Sequence, residues 1–421
     1  MKILFMHQTM PAQFKHLAAH LASRPEHEVT FLSRLGMDKA DNIRCVKYKL
    51  EGKAPPTHRY LANFHDGMRF GYAAARAALD LRREGYRPDV IVAHPGWGDT
   101  FYIKDVFPKA PLLSYFEFYY HPTGADTFFD LRETPSAFDR QRIFTKNAVN
   151  LMSLDHADWG LTPTAWQWRL FPPQLRHRIS IIHDGIDTDT LAPNPEAQFT
   201  LPNGRVLTRA DEVVTHVERN LEPYRGFPSF MRAAALIAAR RPNCQILVAG
   251  GEAQGYGRPP PKGTTYRKMM QEEVKIDPER IHFLGRIPYP QYIKLLQIST
   301  AHVYLTLPFV LSWSMLEAMS AGCLVVGSNT PPVAEVIEDS VNGLLAEFSS
   351  PEEIAERIET AIAEREAMGE IRARARQTIV ERYSLRRCLP LQLQLINILG
   401  RGRVPIPVSD QIGGERLRST R

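Results

Sequence analysis

The chain predicts an α/β protein of two doubly wound domains, and three observations carry that reading. Short apolar runs rich in Val, Ile and Leu alternate with longer stretches whose apolar residues recur at helical spacing, the pattern of βαβ units. At 421 residues the chain exceeds one ordinary core and fits two domains of about 200 each. Residues 302–337, HVYLTLPFVLSWSMLEAMSAGCLVVGSNTPPVAEVI, read as strand, loop, short helix, strand, loop and helix start. Two helix N-termini then stand beyond the carboxyl ends of neighbouring parallel strands, the usual ligand crevice of such a sheet. Each offers unpaired N–H groups and a partial positive charge, which suits a phosphate.

An apolar content of 44% and a charged content of 23% are those of a globular protein rather than a disordered one. No apolar run reaches the roughly 20 residues of a membrane helix. The opening MKILFMHQTMPAQF has too short an apolar part for a secretory signal and reads as a first strand. Cys45, Cys244, Cys323 and Cys388 are scattered with no CxxC pair, which points away from a metal cluster or disulfide framework and towards a reducing cytoplasm. The net charge of +6 is modest. It favours anionic substrates or a weak peripheral hold on an acidic inner membrane face, and no nucleic-acid partner is expected.

In the first half, Lys2–Met6 is a buried strand, and the loop after it holds His7, Gln8 and Pro11 before a helix through Phe14, Leu17 and Leu21. That loop lacks the repeated glycines of a dinucleotide fingerprint, so no nicotinamide or flavin cofactor is expected. Glu28–Ser33 is a second strand, His58–Glu84 a long Ala-rich helix, and Asp89–Ala93 a strand ending in His94-Pro-Gly-Trp97-Gly-Asp99. This last turn is either a binding loop or a tight turn stacked on Trp97. Pro111–Tyr115 leads into FEFYYHPTGAD, where Glu117, with His121 close behind, is either exposed or functional, because a buried lone carboxylate is costly. Asp139–Asp155 is helical, Thr164 starts a further helix, and Arg178–His183 closes the half. The string Asp187-Thr-Asp189 resembles a metal-binding pair, but no other carboxylate or histidine cluster accompanies it and no metal is implied.

In the second half, Val213–Val217 precedes a loop bracketed by Arg219 and Arg225 and ending at Gly226. Cys244–Ala249 ends in Gly250 and Gly251, and AQGYGRPPPKGTTY reads as a mobile Gly/Pro-rich insertion. Met269–Val274 is helical, Ile281–Leu284 is a strand, and Gly285-Arg286-Ile287 leads into a helix through Tyr292. Val303–Leu307 is a strand stopped by Pro308, Ser312 or Ser314 caps the next helix, and Gly322 closes it before Cys323–Gly327. Thr330 before Pro331 has the order of another helix start. Pro351–Tyr383 is a long helical region, and Leu385–Leu399 is a final helix before an Arg/Pro/Gly/Ser tail.

The run SWSMLEAMSAGCLVVGSNTPPVAEVI resembles the donor-site signature of the family-4 retaining glycosyltransferases, which have the two-domain GT-B fold. The resemblance implies two Rossmann-like domains facing across a cleft near residues 185–210, with the acceptor on the first and a nucleoside-diphosphate sugar on the second. It implies that Glu317 holds the donor ribose, that Arg219 and Arg225-Gly226 bind the diphosphate in place of the family's Arg and Lys-Gly, and that Gly250 and Gly251 form a second donor loop. Arg286 and Ile287 fall where backbone groups meet the nucleobase, and Leu311, Ser312, Trp313 and Ser314 lead into the donor helix. Glu117 or His121 faces the acceptor, with His7, Gln8, His94 and Trp97 on the same side. One position departs: Phe309 stands where the family has a first glutamate, and FVLS replaces its Gly-Phe-Gly. The implied reaction is metal-independent transfer with retention to a glycan or lipid-linked acceptor of bacterial surface polysaccharide. The competing readings are an inactive nucleotide-sugar binder on the same fold and an epimerase. The expected domains are 1–195, 196–385, a helix 386–400 packing back on the first, and a disordered tail 401–421.

Overall fold

The computed structural model describes residues 1–129, 134–275 and 277–406. The chain divides into two compact units, Met1–Gly185 with the stretch from Leu385 onward, and Ile186–Ser384. Most of the expected tail, residues 407–421, lies outside the described residues.

The first unit is a seven-stranded sheet of β1 (Lys2–Met10), β2 (Glu28–Gly36), β3 (Ile43–Lys47), β4 (Val90–Ala93), β5 (Leu112–Tyr115), β6 (Trp159–Thr162) and β7 (Ile179–Ile181). The strands run in the order β3-β2-β1-β4-β5-β6-β7 and every pairing is parallel. The sequence order reverses between β1 and β4, so the loops leaving these two strands open on the same crevice. Apolar residues on both faces explain the continuous hydrophobic runs, since each face is covered. On one face Phe5, Phe31, Leu17 and Leu21 pack with Leu395, Ile396 and Leu399 of the terminal helix Leu385–Gly400. On the other, Leu4, Met6 and Ile91 meet Ala74, Ala78 and Leu81 of the helix Ala62–Arg83.

The second unit holds a small antiparallel pair, β8 (Gln198–Thr200) with β9 (Val206–Thr208). Its main sheet is made of β10 (Val213–Asn220), β11 (Gln245–Gly251), β12 (Ile281–Gly285), β13 (Ala301–Tyr304), β14 (Leu324–Ser328) and β15 (Leu344–Ala346). The order is β12-β11-β10-β13-β14-β15, again all parallel, with the reversal between β10 and β13. The helix Phe227–Arg240 buries Phe227, Phe230, Met231 and Ile237 against Val214, Ile246 and Val303. Each such fully buried side chain contributes about 1.5–3 kcal/mol.

Several boundaries differ from the expectation. β1 runs on through His7 and Gln8 to Met10, because β2 is equally long and pairs Thr9 with Leu35 and Met10 with Gly36. β10 likewise continues past Val217 to Asn220, and β11 takes in Gly250 and Gly251. In the opposite sense, β13 stops at Tyr304 rather than Leu307. The segment expected as one helix at 139–155 is two, Ala137–Lys146 and Ala148–His156. The region 351–383 also divides, into Pro351–Ala363 and Gly369–Arg382.

Candidate functional site

The crevice of the second unit is organised by Arg225. After β10 the chain makes a 3-10 turn, Pro223–Arg225, and Gly226 turns left-handed at φ +71° to start the helix Phe227–Arg240. A Cβ at Gly226 would overlap Leu305, so glycine is required by both backbone and space. Arg225 is 9% exposed. Its Nη1 donates to the Tyr304 hydroxyl at 3.0 Å, to Thr306 Oγ1 at 2.8 Å and to the Val310 carbonyl at 3.0 Å. Burial works against the charge, but the combined fields of Tyr304, Tyr256, Glu218 and Glu222 outweigh it and hold the guanidinium pKa above its ordinary value.

Tyr304 Oη also accepts the N–H of Ser312 at 2.9 Å. Ser312 is the N-cap of the helix Trp313–Ser320, and its hydroxyl accepts the Ser314 N–H at 3.3 Å. The same helix carries Glu317. Its Oε1 accepts from the Tyr289 hydroxyl at 2.9 Å and its Oε2 from Tyr292 at 2.8 Å. These tyrosines stand three apart on the helix Tyr289–Ile298, so they share one face. Burial first, and the Glu317 carboxylate second, raise both phenol pKa values, which keeps them hydrogen-bond donors.

Around this core the structure places the remaining predicted residues unevenly. Leu311 is buried beside the helix, with Trp313 packed on the same cluster, and Ile287 lies against its edge. Arg286 is exposed, and its Nη2 donates to Asn220 Oδ1 at 3.0 Å beside Gly251. Arg219 corrects the expectation of a loop bracketed by two arginines. It sits within the extended end of β10 and is exposed, whereas Arg225 is enclosed. Gly250 and Gly251 likewise belong to a strand end rather than a loop. Phe309 is 6% exposed and packs edge-on against Tyr224 at 5.4 Å and Tyr256 at 4.9 Å. The Arg225 guanidinium lies 5.9 Å from its ring and 5.7 Å from that of Tyr256.

Sequence reasoning missed two carboxylates here. Glu222 has a buried Oε2 without a hydrogen-bond partner, and its pKa is pushed up to about 7 by burial and then by Glu218. Glu218 is buried with Oε1 3.2 Å from His216 Nε2, and burial raises its pKa too. A glutamate four residues from another, just after a buried strand, was the available signal. Asp187 closes its own turn: Oδ1 accepts the N–H groups of Asp189 at 3.3 Å and Thr190 at 3.1 Å, and Oδ2 accepts the Thr190 hydroxyl at 2.7 Å.

In the first unit, β1, β4 and β5 bring His7, His94, Trp97 and Glu117 together. The His7 ring lies 5.0 Å from His94 and 5.1 Å from Trp97, and His94 Nε2 is 3.5 Å from Glu117 Oε2. Glu117 Oε1 accepts from Gln13 Nε2 at 3.0 Å. Both histidines use Nδ1 to accept a backbone N–H two residues on, from Thr9 at 2.8 Å and Gly96 at 3.2 Å. That fixes the tautomer with hydrogen on Nε2. Burial, with His94 next, lowers the His7 pKa to about 2, so its ring is neutral. Beneath them Gln8 is tied into a buried network. Its Nε2 donates to both Asp99 oxygens at 3.2 Å, its Oε1 accepts from Arg34 at 2.8 Å, and the Tyr48 hydroxyl also donates to Asp99. Tyr48 and Asp99 are 51 residues apart, and no local pattern joins them. His121 is not part of this group's contacts: its Nε2 donates to the Leu170 carbonyl at 2.7 Å.

Two all-parallel, doubly wound sheets in one chain, each with its crevice at a β1/β4-type reversal, are the GT-B architecture. Sucrose-phosphate synthase from Thermosynechococcus elongatus shares it over 95% of this chain and 99% of its own, at a TM-score of 0.70 and 15% identity. Anabaena HepE, solved in complex with UDP-glucose, shares it over 94% and 99%, at 0.68 and 16%. Residues 25–191 match the family described as "Glycosyl transferase family 4 group" and residues 206–378 that described as "Glycosyl transferases group 1". The chain belongs to the family-4 glycosyltransferases of the GT-B type. A D-inositol 3-phosphate glycosyltransferase of Mycobacterium is 28% identical over 173 residues, a match covering 40% of this chain and 36% of that relative's length.

Proposed function

We propose that this protein transfers a sugar from a nucleoside-diphosphate donor, held by the second unit, to a hydroxyl acceptor held by the first. The observation that carries the reading is the link from Arg225 through Tyr304 to the capped N-terminus of the helix bearing Glu317. It sets a cation and helix amides beside a carboxylate, which suits a diphosphate next to a ribose diol. The nucleotide-sugar ligand of Anabaena HepE supports the donor class.

In this reading the bond between the anomeric carbon and the phosphate oxygen breaks, and its electron pair leaves with the diphosphate. Arg225 and the helix amides stabilise that growing charge, and loss of one such group costs about 10²–10³ in rate. The acceptor hydroxyl forms the new bond on the same face and passes its proton to the departing phosphate oxygen. Glu317 accepts from the ribose hydroxyls alongside Tyr289 and Tyr292, using the remaining lone pairs of its carboxylate. Glu117 receives the acceptor hydroxyl while His94 Nε2–H donates to it. Retention, independence from divalent metal and a bacterial surface-glycan or lipid-linked acceptor, met on the cytoplasmic side, complete the proposal.

A second reading rests on Phe309 and Tyr256, whose rings cover Arg225. An inactive nucleotide-sugar binder would look the same. A panel of nucleotide sugars, assayed with and without glycan acceptors, separates the readings. Nucleoside diphosphate released only with acceptor supports the transferase, whereas a thermal shift without release supports the binder. Sugar conversion with no acceptor supports an epimerase.

A further inference from the structure

The first unit presents an outward aromatic surface that neither crevice uses. The helix Ala137–Lys146 buries only Ile143. Phe138 is 65% exposed and Phe144 77%, and large apolar rings grouped on one exposed surface mark an interaction site. The surface continues onto neighbouring elements. The Arg59 guanidinium lies 5.8 Å from the Phe138 ring, Leu61, two residues after Arg59, is exposed, and Leu151 is exposed on the next helix.

The surrounding charge is basic. Arg59, Arg140 and Arg142 are exposed on these same segments. The acidic neighbours are engaged locally. Asp139 closes a capping box with Ser136 and lies 4.0 Å from Arg142, and Glu51 and Asp66 pair with Arg76 at 2.8 Å and Arg69 at 3.8 Å. Apolar rings projecting from a convex helix among arginines match an anionic lipid surface, where rings enter the headgroup boundary and guanidinium groups meet phosphates. No helix among the described residues is long and apolar enough to cross a membrane, so contact of this kind is interfacial.

We propose that the helix Ala137–Lys146 docks the first unit on anionic membrane, with Phe138 and Phe144 as the inserting side chains and Arg140 and Arg142 as the charge readers. The inference is independent of the catalytic reading. It is tested on the full chain by co-sedimentation with vesicles of phosphatidylcholine, with or without phosphatidylglycerol. Binding should require phosphatidylglycerol, weaken as salt is raised, and fall about ten-fold or more in Phe138→Ser/Phe144→Ser. Arg140→Gln/Arg142→Gln should lose the preference for phosphatidylglycerol while the melting temperature of both variants stays that of the parent. Three results would overturn it: no binding to either vesicle, equal binding by the phenylalanine variant, or a concentration-dependent dimer in sedimentation that this variant abolishes. The last would assign the surface to a second copy of the chain.

Discussion

Arg225 and Tyr304 meet at 3.0 Å, and the Tyr304 hydroxyl oxygen that receives the guanidinium also receives the Ser312 N–H at 2.9 Å. One atom therefore fixes both the cation and the first amide of the helix that carries Glu317.

Tyr304→Phe removes that atom. It leaves the Ser312 N–H without its partner, at a cost of about 1–3 kcal/mol. Urea unfolding should show this loss, and calorimetry should show weaker nucleotide binding in the folded fraction. Unchanged affinity would reduce Tyr304 to a packing residue.

Arg225→Ala should lower turnover about 10²–10³-fold, and Arg225→Lys should recover part of it, because an ammonium keeps the charge but not the planar, fixed donor geometry of the guanidinium. Acceptor-dependent nucleotide release measures both. Equal activity of all three proteins would remove Arg225 from the donor site.

Glu317→Gln keeps the size of the side chain but turns one acceptor into an NH₂ group facing a tyrosine hydroxyl. Nucleotide affinity should fall while the melting temperature drops only modestly. The discriminating comparison is with the corresponding 2′,3′-dideoxy nucleotide, for which the variant and the parent should bind alike.

Glu222 titrates at about 7 in the folded protein against about 4.5 for an ordinary glutamate. A raised folded pKa means a contribution fully present below pH 4.5 and lost as pH rises through 7. Buried His7, His183 and His302 act in the opposite sense. Burial lowers their pKa values to about 2, 3 and 3, so their contribution is present above pH 6.5 and is lost as pH falls towards those values. Glu222→Gln isolates the carboxylate. Its stability relative to the parent should rise between pH 5 and 8, read from urea midpoints, and a flat difference would refute the shifted pKa.

Gly226→Ala should destabilise by about 1–3 kcal/mol or more, since it meets both a positive φ and the Leu305 side chain. A chelator should leave transfer activity intact, because the Asp187 carboxylate is already occupied by its own turn. Activity lost to chelation and restored by manganese would reverse that.

The alternation of strands and helices, the two sheets and a serine cap at 312 or 314 were legible because each is written in local pattern. Strand ends were not. His7, Arg219 and Gly250 are polar or small, so periodicity ends before them, yet the extended backbone runs on: β2, as long as β1, carries the ladder past His7, and β10 and β11 meet again at Asn220 and Gly251. The partners of the site were hidden for a different reason. Tyr304 reads as an ordinary strand residue, and Tyr289 and Tyr292 as an ordinary helix face, until the fold delivers Arg225 and Glu317 to them. The resemblance named Glu317 and Arg225 by position, but nothing in a linear pattern showed that Arg225 would be enclosed and Arg219 exposed.

The final helix completes the first unit, while residues 186–384 form the second between them, with Ile186 bridged to Ser384. On the ribosome, the later module can therefore reach its native state while the earlier one still lacks Leu395, Ile396 and Leu399. The half made first finishes last, and a fragment ending at residue 185 would leave an uncovered greasy face for a chaperone to shield.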